Sequence, residues 1–526
     1  PRGTEGWLDN ERCPFHNDAM SYPQTLAMPE EMAGDEFQPV ADLLPVVYKR
    51  AAPLGWFFVA ALFGLLLYEW LKPNPAWGVA TRLMGTACMV IGSFPAILYL
   101  FRGRFRTIPF FEGHCLFYVL CFGYAAFRPV VVGGSLGTLV ESDLQKGLAA
   151  TLTCLVGLQV GFYLLGWALF RGVKPFTLHV PDGPKVTPTF LIAALALMHF
   201  FGLLTFLGVG GLLQITSALW VFFVVMFSAG VYAGYFPRWV VHLFWLIFLP
   251  WMLLIGSGFL NNAILGGMIE FAVWQTLAAL WARGRPSYVW LVLALAIIFL
   301  LQPLKGIYRV FLWGGGQDRT FSEKVMAWQE IFVSARPAFE DPETARFMRE
   351  AAYARMNHLV VTSGVIRDTP ALEPFQYGRS YLPLFTKWIP RLLWPNKPKE
   401  TYGNEWARHY GYISYNDFVT SFNLPWLPEM YMNFGWWGVA LIPLILGTLF
   451  RWAWQKFGRA PQTLVDFAIG VAVLIPLVMV ESHLSMKFGG LVVRSIGLLI
   501  VLSLIKFYLR LLSPDVRKLT AGRSLR

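Results

Sequence analysis

Runs of apolar residues recur along this chain, each closed by a short polar or basic connection. They fall at about 53–71, 79–101, 115–131, 148–170, 190–208, 211–235, 238–258, 261–282 and 287–303, then at about 430–450, 463–480 and 489–509. A helix of about 20 apolar residues crosses the hydrocarbon core of a bilayer. The pattern therefore predicts an all-α polytopic membrane protein with about twelve transmembrane helices. A membrane β-barrel would show short alternating segments instead. No internal repeat stands out, and no inverted repeat is visible.

One stretch breaks the rhythm. Residues 304–424 form a long segment with no membrane-length apolar run, and they divide the chain into five parts. These are an N-terminal segment (1–50), nine predicted spans (51–303), the large loop (304–424), three closing spans (425–510) and a tail (511–526). Loops beyond about 15 residues in a folded protein are usually functional or disordered. This one is too rich in aromatic and aliphatic residues for disorder. It reads as a folded, mainly helical module.

Charge in the connections predicts the orientation. Lys49, Arg50, Arg102, Arg104, Arg106, Arg171, Lys174, Arg238, Arg283, Arg285, Arg451, Lys456, Arg459, Arg510, Arg517 and Lys518 fall in alternate connections. The other short loops carry little beyond Lys72 and Lys487. The positive-inside rule then puts both termini in the cytoplasm and the large loop outside. Long loops translocate whatever their charge, so the loop's own cations need another explanation.

Composition agrees with the pattern and narrows the chemistry. The chain has 526 residues, 56% of them hydrophobic and 14% charged, and its mean hydropathy is +0.52. The net charge of +12 is explained by topology rather than by nucleic acid. Five scattered cysteines imply no disulfide framework, and the lone Cys13-x-x-His16 pair lacks a second half for zinc. No h-region with a cleavage site is visible near the start. P-loop, dinucleotide, metalloprotease and serine-hydrolase motifs are all missing, so no cofactor or metal is expected.

In the loop, Asp341-Pro342-Glu343 reads as a helix start, and the spacing predicts a helix over 343–361. On that helix Arg346, Arg349, Glu350, Tyr353 and Asn357 share a polar face, while Phe347, Met348, Ala351, Ala352 and Leu359 oppose it. Arg355 sits in the middle of the apolar stripe with His358 beside it. A guanidinium there either meets an internal carboxylate or lines a cavity built for an anion. Farther on come Arg367, the turn Tyr377-Gly378-Arg379-Ser380-Tyr381, and the proline-stiffened Ile389-Pro390-Arg391 and Trp394-Pro395-Asn396-Lys397-Pro398. These cations fit either a phosphorylated ligand or a collar of lipid headgroups. Pro428-Glu429-Met430-Tyr431-Met432-Asn433-Phe434-Gly435 places a carboxylate and an amide at the head of the next span. Glu429 there serves as a helix N-terminal acid or as a group that activates a hydroxyl. Glu270 and Arg494 lie within predicted spans, where ionisable groups are functional candidates.

The order of spans, the outer loop and the phrases YGRSY, IPRLLWPNKP and LPEMYMNFGWWG resemble the Wzy-type O-antigen and oligosaccharide repeat-unit polymerases. Arg367 and Gly378 also fit the R-x10-G pattern of outer loops in that family. The resemblance is carried by residues 346–438 and is only architectural elsewhere. It implies a GT-C-like, metal-independent glycosyltransferase of the bacterial inner membrane, with its active site facing the periplasm. The donor would be an undecaprenyl-diphosphate-linked glycan, the acceptor the next lipid-linked repeat, and a chain-length regulator a possible partner. On that basis the diphosphate falls to Arg355, Arg379 and Arg391, with Arg367 and Lys397 in support. The base candidates are Glu429, His358 and His409. Tyr377, Tyr381, Tyr431 and Asn433 would orient sugar. An O-antigen ligase shares this architecture and donor. A flippase or transporter is the alternative of another class, although such proteins usually show internal repeats.

Overall fold

The computed structural model describes residues 51–72, 77–103, 106–128, 139–180, 186–206, 213–236, 263–283, 356–387, 401–459 and 463–512, with single positions elsewhere. Every regular element among them is helical. In chain order these are α1 (Ala51–Leu71), α2 (Val79–Arg102), α3 (Phe110–Phe127), α4 (Glu141–Phe170), α5 (Val186–Phe206), α6 (Leu213–Tyr232) and α7 (Ala263–Arg283). Then come α8 (His358–Asp368), α9 (Pro383–Thr386), α10 (Tyr402–His409), α11 (Trp426–Gly458), α12 (Leu464–Leu477) and α13 (Leu484–Leu512). Seven of the described helices are long and apolar enough to cross a membrane: α1, α2, α3, α4, α6, α11 and α13. Each predicted apolar run coincides with a helix, except 238–258 and 287–303, which lie wholly or mostly outside the described residues. So do the N-terminal segment, the tail and most of 304–355.

The centre of the bundle is a glycine-lined contact between α4 and α11. A Cβ at Gly161 would collide with the Leu444 carbonyl, and one at Gly447 with the Leu158 carbonyl. Ala440 lies opposite Gly157 and Arg451 opposite Gly166, so the contact pairs rise together and the two helices run parallel. Small residues allow such backbone approach where lipid supplies no hydrophobic drive between helices. At one end of the bundle, Ile108 N–H donates to the Gly458 carbonyl (2.9 Å) and Phe176 N–H to the Lys456 carbonyl (2.7 Å). The connections carrying Arg106, Arg171, Lys174, Lys456 and Arg459 therefore gather at that end.

The large polar segment is built into the opposite end. Helix α8 is almost wholly buried and packs on α4, where Ser363 and Leu359 lie against Gly147. The predicted continuous helix over 343–361 is interrupted: Met356 is helical, Asn357 is not, and a new helix begins at His358. The Asn357 side chain accepts from Val360 N–H (3.2 Å), making it the cap of α8. Asparagine offers the backbone this alternative bond, which periodicity alone does not reveal. The phase that would relate Arg355 to His358 is lost at that break, and Arg355 itself lies outside the described residues.

Candidate functional site

The site begins where α11 breaks. Gly435 adopts φ 58° and ψ −141°, a conformation open essentially to glycine alone. The carbonyls just before it turn away from the helix: Met432 accepts from Gln376 N–H (2.9 Å) and Asn433 from Tyr377 N–H (3.1 Å). Residues 376–379 form a tight turn with Tyr377 at φ 48°, Gly378 at φ 90°, and Arg379 N–H donating to the Gln376 carbonyl (3.0 Å). Two successive positive φ values suit a type I′ turn, for which glycine is favoured at the second position.

Asn433 fastens this turn to the helix. Fully buried, it accepts from Gly378 N–H through Oδ1 (2.8 Å) and donates through Nδ2 to Ser380 Oγ and to the Glu429 carbonyl (2.8 Å each). The YGRSY and PEMYMNFG phrases, far apart in sequence, are thus one structural unit. Glu429 is also fully buried, and its Oε2 accepts from Leu484 N–H at 2.6 Å. A carboxylate on the first turn of α11 thereby caps the start of α13.

Two tyrosines lie within electrostatic reach of this carboxylate. Tyr402 hydrogen-bonds Gln376 Oε1 and Ser380, and its ring lies 5.7 Å from that of His483. Burial, then the Glu429 charge, push the Tyr402 phenol well above its ordinary range. The same two causes raise Tyr381, which stacks on Phe434 at 6.3 Å. Both remain protonated donors at neutral pH.

A second polar group adjoins the first through residues 481–487. His358, at the start of α8, places Nε2 at 3.7 Å from Glu481 Oε1 while its ring lies 6.1 Å from Phe117 and 5.8 Å from Phe122. The Nε2 atom has no hydrogen-bond partner among the described residues. Glu481 is partly open to solvent, its side chain 41% exposed. Lys487 lies within electrostatic reach of Glu481, Glu270 and Arg494. Lys487 and Arg494 are seven residues apart on α13, two helical turns along one face, and Glu270 on α7 lies within electrostatic reach of both.

The remaining predicted residues divide. Arg379 is exposed and its side chain has no partner among the described residues. Arg367 is held in a two-pronged pair by its neighbour Asp368 (2.7 and 3.0 Å), which leaves it less available for a diphosphate. His409 is exposed and pairs with Glu373 at 3.6 Å. Tyr377 is open to solvent at 78% exposure. Tyr431 is buried, its ring between Phe375 (6.3 Å) and Trp436 (5.7 Å). The hydrogen bonds of Asn433 are spent on the protein itself. Arg391 and Lys397 lie outside the described residues. Sequence pattern singles out neither Gln376 nor Tyr402, and it offers Ser380 only as part of the 377–381 turn. A recognisable mark was available for the unit that joins them: Glu429 and Asn433 stand four apart, just ahead of a glycine. Comparison with protein-family profiles, with curated proteins and with solved structures finds no match for this chain.

Proposed function

We propose that this chain is a membrane glycosyltransferase of the polysaccharide-polymerase kind. It would transfer a polyprenyl-diphosphate-linked glycan onto a hydroxyl of the next lipid-linked repeat, at the outer face of a bacterial inner membrane. The observation that carries the reading is the Arg379 turn. The turn that carries Arg379, exposed and without a side-chain partner among the described residues, is fastened by a buried amide to the broken head of an apolar helix. That is where a lipid would present a diphosphate, and Arg binds phosphate oxygens through its planar fork. The gathering of basic connections at the opposite end supports cytoplasmic termini and an outward-facing site.

In the proposed reaction a base takes the proton of the acceptor hydroxyl. The oxygen attacks the anomeric carbon, and the bond to the lipid diphosphate breaks. The departing charge is met by Arg379, with Arg355, Arg391 and Lys397 proposed to join it. His358 is the favoured base: its Nε2 has no hydrogen-bond partner among the described residues and lies beside the partly open Glu481. Glu429, buried and bonded to Leu484 N–H, is favoured as a positioning group that holds α13 against α11. Tyr377 offers an exposed ring to sugar.

The test is a gel profile of surface glycans and lipid-linked intermediates from cells with and without the gene, then with Arg379→Ala and His358→Ala restored on a plasmid. Collapse of a long ladder to a single repeat establishes polymerisation. Accumulation of long lipid-linked polymer with uncapped acceptor moves the assignment to a ligase. Unchanged glycans refute the glycosyltransferase reading.

A further inference from the structure

Part of the large polar segment runs back along the bundle. After Gly378, residues 379–387 form consecutive helical turns. Leu382 N–H donates to the Arg379 carbonyl (3.3 Å), Phe385 N–H to that of Leu382 (3.1 Å) and Lys387 N–H to that of Pro383 (2.9 Å). At its start the run touches α11 beside the Gly435 break, with Tyr381 stacked on Phe434 at 6.3 Å. At its end the Lys387 stem lies against Gly489 of α13, where an added Cβ would come within 2.5 Å of it. These two contacts sit at different depths. Phe488, next to Gly489, stacks on Phe450 at 6.4 Å. Phe450 follows Trp437 by thirteen residues, about 20 Å along α11 from the break toward the basic end. Nine residues of mixed 3₁₀ and α turns span about 14–18 Å, enough for that descent. By Tyr402, whose hydroxyl bonds Gln376 at the turn, the chain is back where the run began.

The run has two faces. Tyr381 and Leu384 are partly buried and pack against the core. Leu382 and Phe385, three residues apart and so on one helical face, are 61% and 78% exposed. Two large apolar side chains thus stand open beside helices of membrane-crossing length. On α11, Trp437, Leu441, Ile445 and Leu449 are exposed at every fourth position, the stripe of a helix that meets lipid. Acyl chains are the matching surroundings for Leu382 and Phe385 at the same depth. Backbone in lipid must satisfy its own hydrogen bonds. The successive turns do so, and Pro383 has no N–H to satisfy.

We infer that residues 379–387 are a re-entrant element: they enter the bilayer from the side of the polar segment, with Leu382 and Phe385 set among lipid acyl chains. The inference rests on the chain spanning a membrane and stands without the glycosyltransferase reading. It departs from the sequence expectation that 304–424 lies wholly outside the membrane.

The test uses the full chain in phosphatidylcholine nanodiscs with nitroxide labels at Leu382→Cys or Phe385→Cys. The background is Cys13→Ser, since the other four cysteines are buried. Power saturation compares collision with oxygen, which partitions into acyl chains, and with a water-soluble nickel chelate. Leu441→Cys on the exposed stripe of α11 is the lipid reference, and Lys174→Cys in an exposed basic connection is the water reference. Expected at 382 and 385 is an oxygen-to-nickel ratio close to that at 441 and several-fold above that at 174. A ratio like that at 174 overturns the inference by placing the face in water. Weak collision with both reagents also overturns it, because the face is then covered by protein, either this chain or a second copy. Should the variants fail to fold, phosphatidylcholine with a diazirine in its acyl chain is photolysed with the wild-type protein. Peptide mapping that finds label at 382–385 supports the element, and label on α11 with none in 379–387 refutes it.

Discussion

Replacing Asn433 with alanine removes three hydrogen bonds from a fully buried position: those with Gly378 N–H, Ser380 Oγ and the Glu429 carbonyl. Side-chain bonds in membrane proteins average about 0.6 kcal/mol, and those in soluble proteins about 1 kcal/mol. Gly378 N–H and the buried Ser380 Oγ are also left to find new partners. The expected loss is about 2–4 kcal/mol, from a side chain that touches no proposed substrate atom. Reversible unfolding in mixed micelles measures it. Ser503→Ala serves as the reference, because it deletes one exposed bond to the Leu499 carbonyl within α13. Asn433→Asp separates the donor from the acceptor. It keeps an oxygen for Gly378 N–H but loses both donated bonds and adds a charge beside Glu429. It should therefore be at least as damaging as alanine. The reasoning also predicts faster proteolysis at residues 376–381, since the turn would lose its anchor before the bundle melts. A loss no larger than that of Ser503→Ala, with unchanged cleavage, would refute the claim that Asn433 fastens the turn.

Gly435→Ala should cost about 1–3 kcal/mol through backbone strain alone, with the new methyl also 3.1 Å from the Phe375 ring; wild-type melting would show the break to be dispensable. Tyr377→Gly should stabilise by about 1 kcal/mol if the positive φ is the dominant burden on that exposed residue, and destabilisation would show that its ring contact with Phe375 matters more. Tyr410 is pushed up to about 12 from 10.0, first by burial, so its share of stability is complete below pH 10 and is lost as pH climbs through 12. Tyr410→Phe should abolish that late step in an absorbance titration. Arg379→Ala should abolish glycan polymerisation with no change in melting, because its side chain has no partner among the described residues; a melting loss would assign it a structural role instead.

The helices were largely legible in the chain because membrane helices are written in long apolar runs. The structure adds what such runs conceal. Asn357 looks like one more polar-face residue at 100° per step, yet its side chain ends one helix and starts another. The Gly435 break sits inside the apolar run predicted over about 430–450, which span-length hydropathy reads as one uninterrupted helix. Arg367 carries the right charge in the right phrase, but an adjacent carboxylate claims it. Glu429 was readable as either a cap or a base, and its cap proves to belong to another helix, 55 residues away. The candidate site was visible as a list of residue types. Which of them face each other depended on pairings across the chain that no local pattern encodes.

The glycine contact between α4 and α11 has a consequence for the birth of the protein. Thr448 donates to the Gly161 carbonyl across 287 residues of chain. At about 5–20 residues per second, roughly 15–60 seconds separate the two helices during synthesis. Through that interval α4 waits in the bilayer with its small-residue groove filled by lipid or by a provisional neighbour. A ribosome halted before residue 440 would release a chain whose central seam has no partner. Quality control can recognise such a fragment by the bare groove alone, so truncated products should be degraded however well their earlier helices are packed.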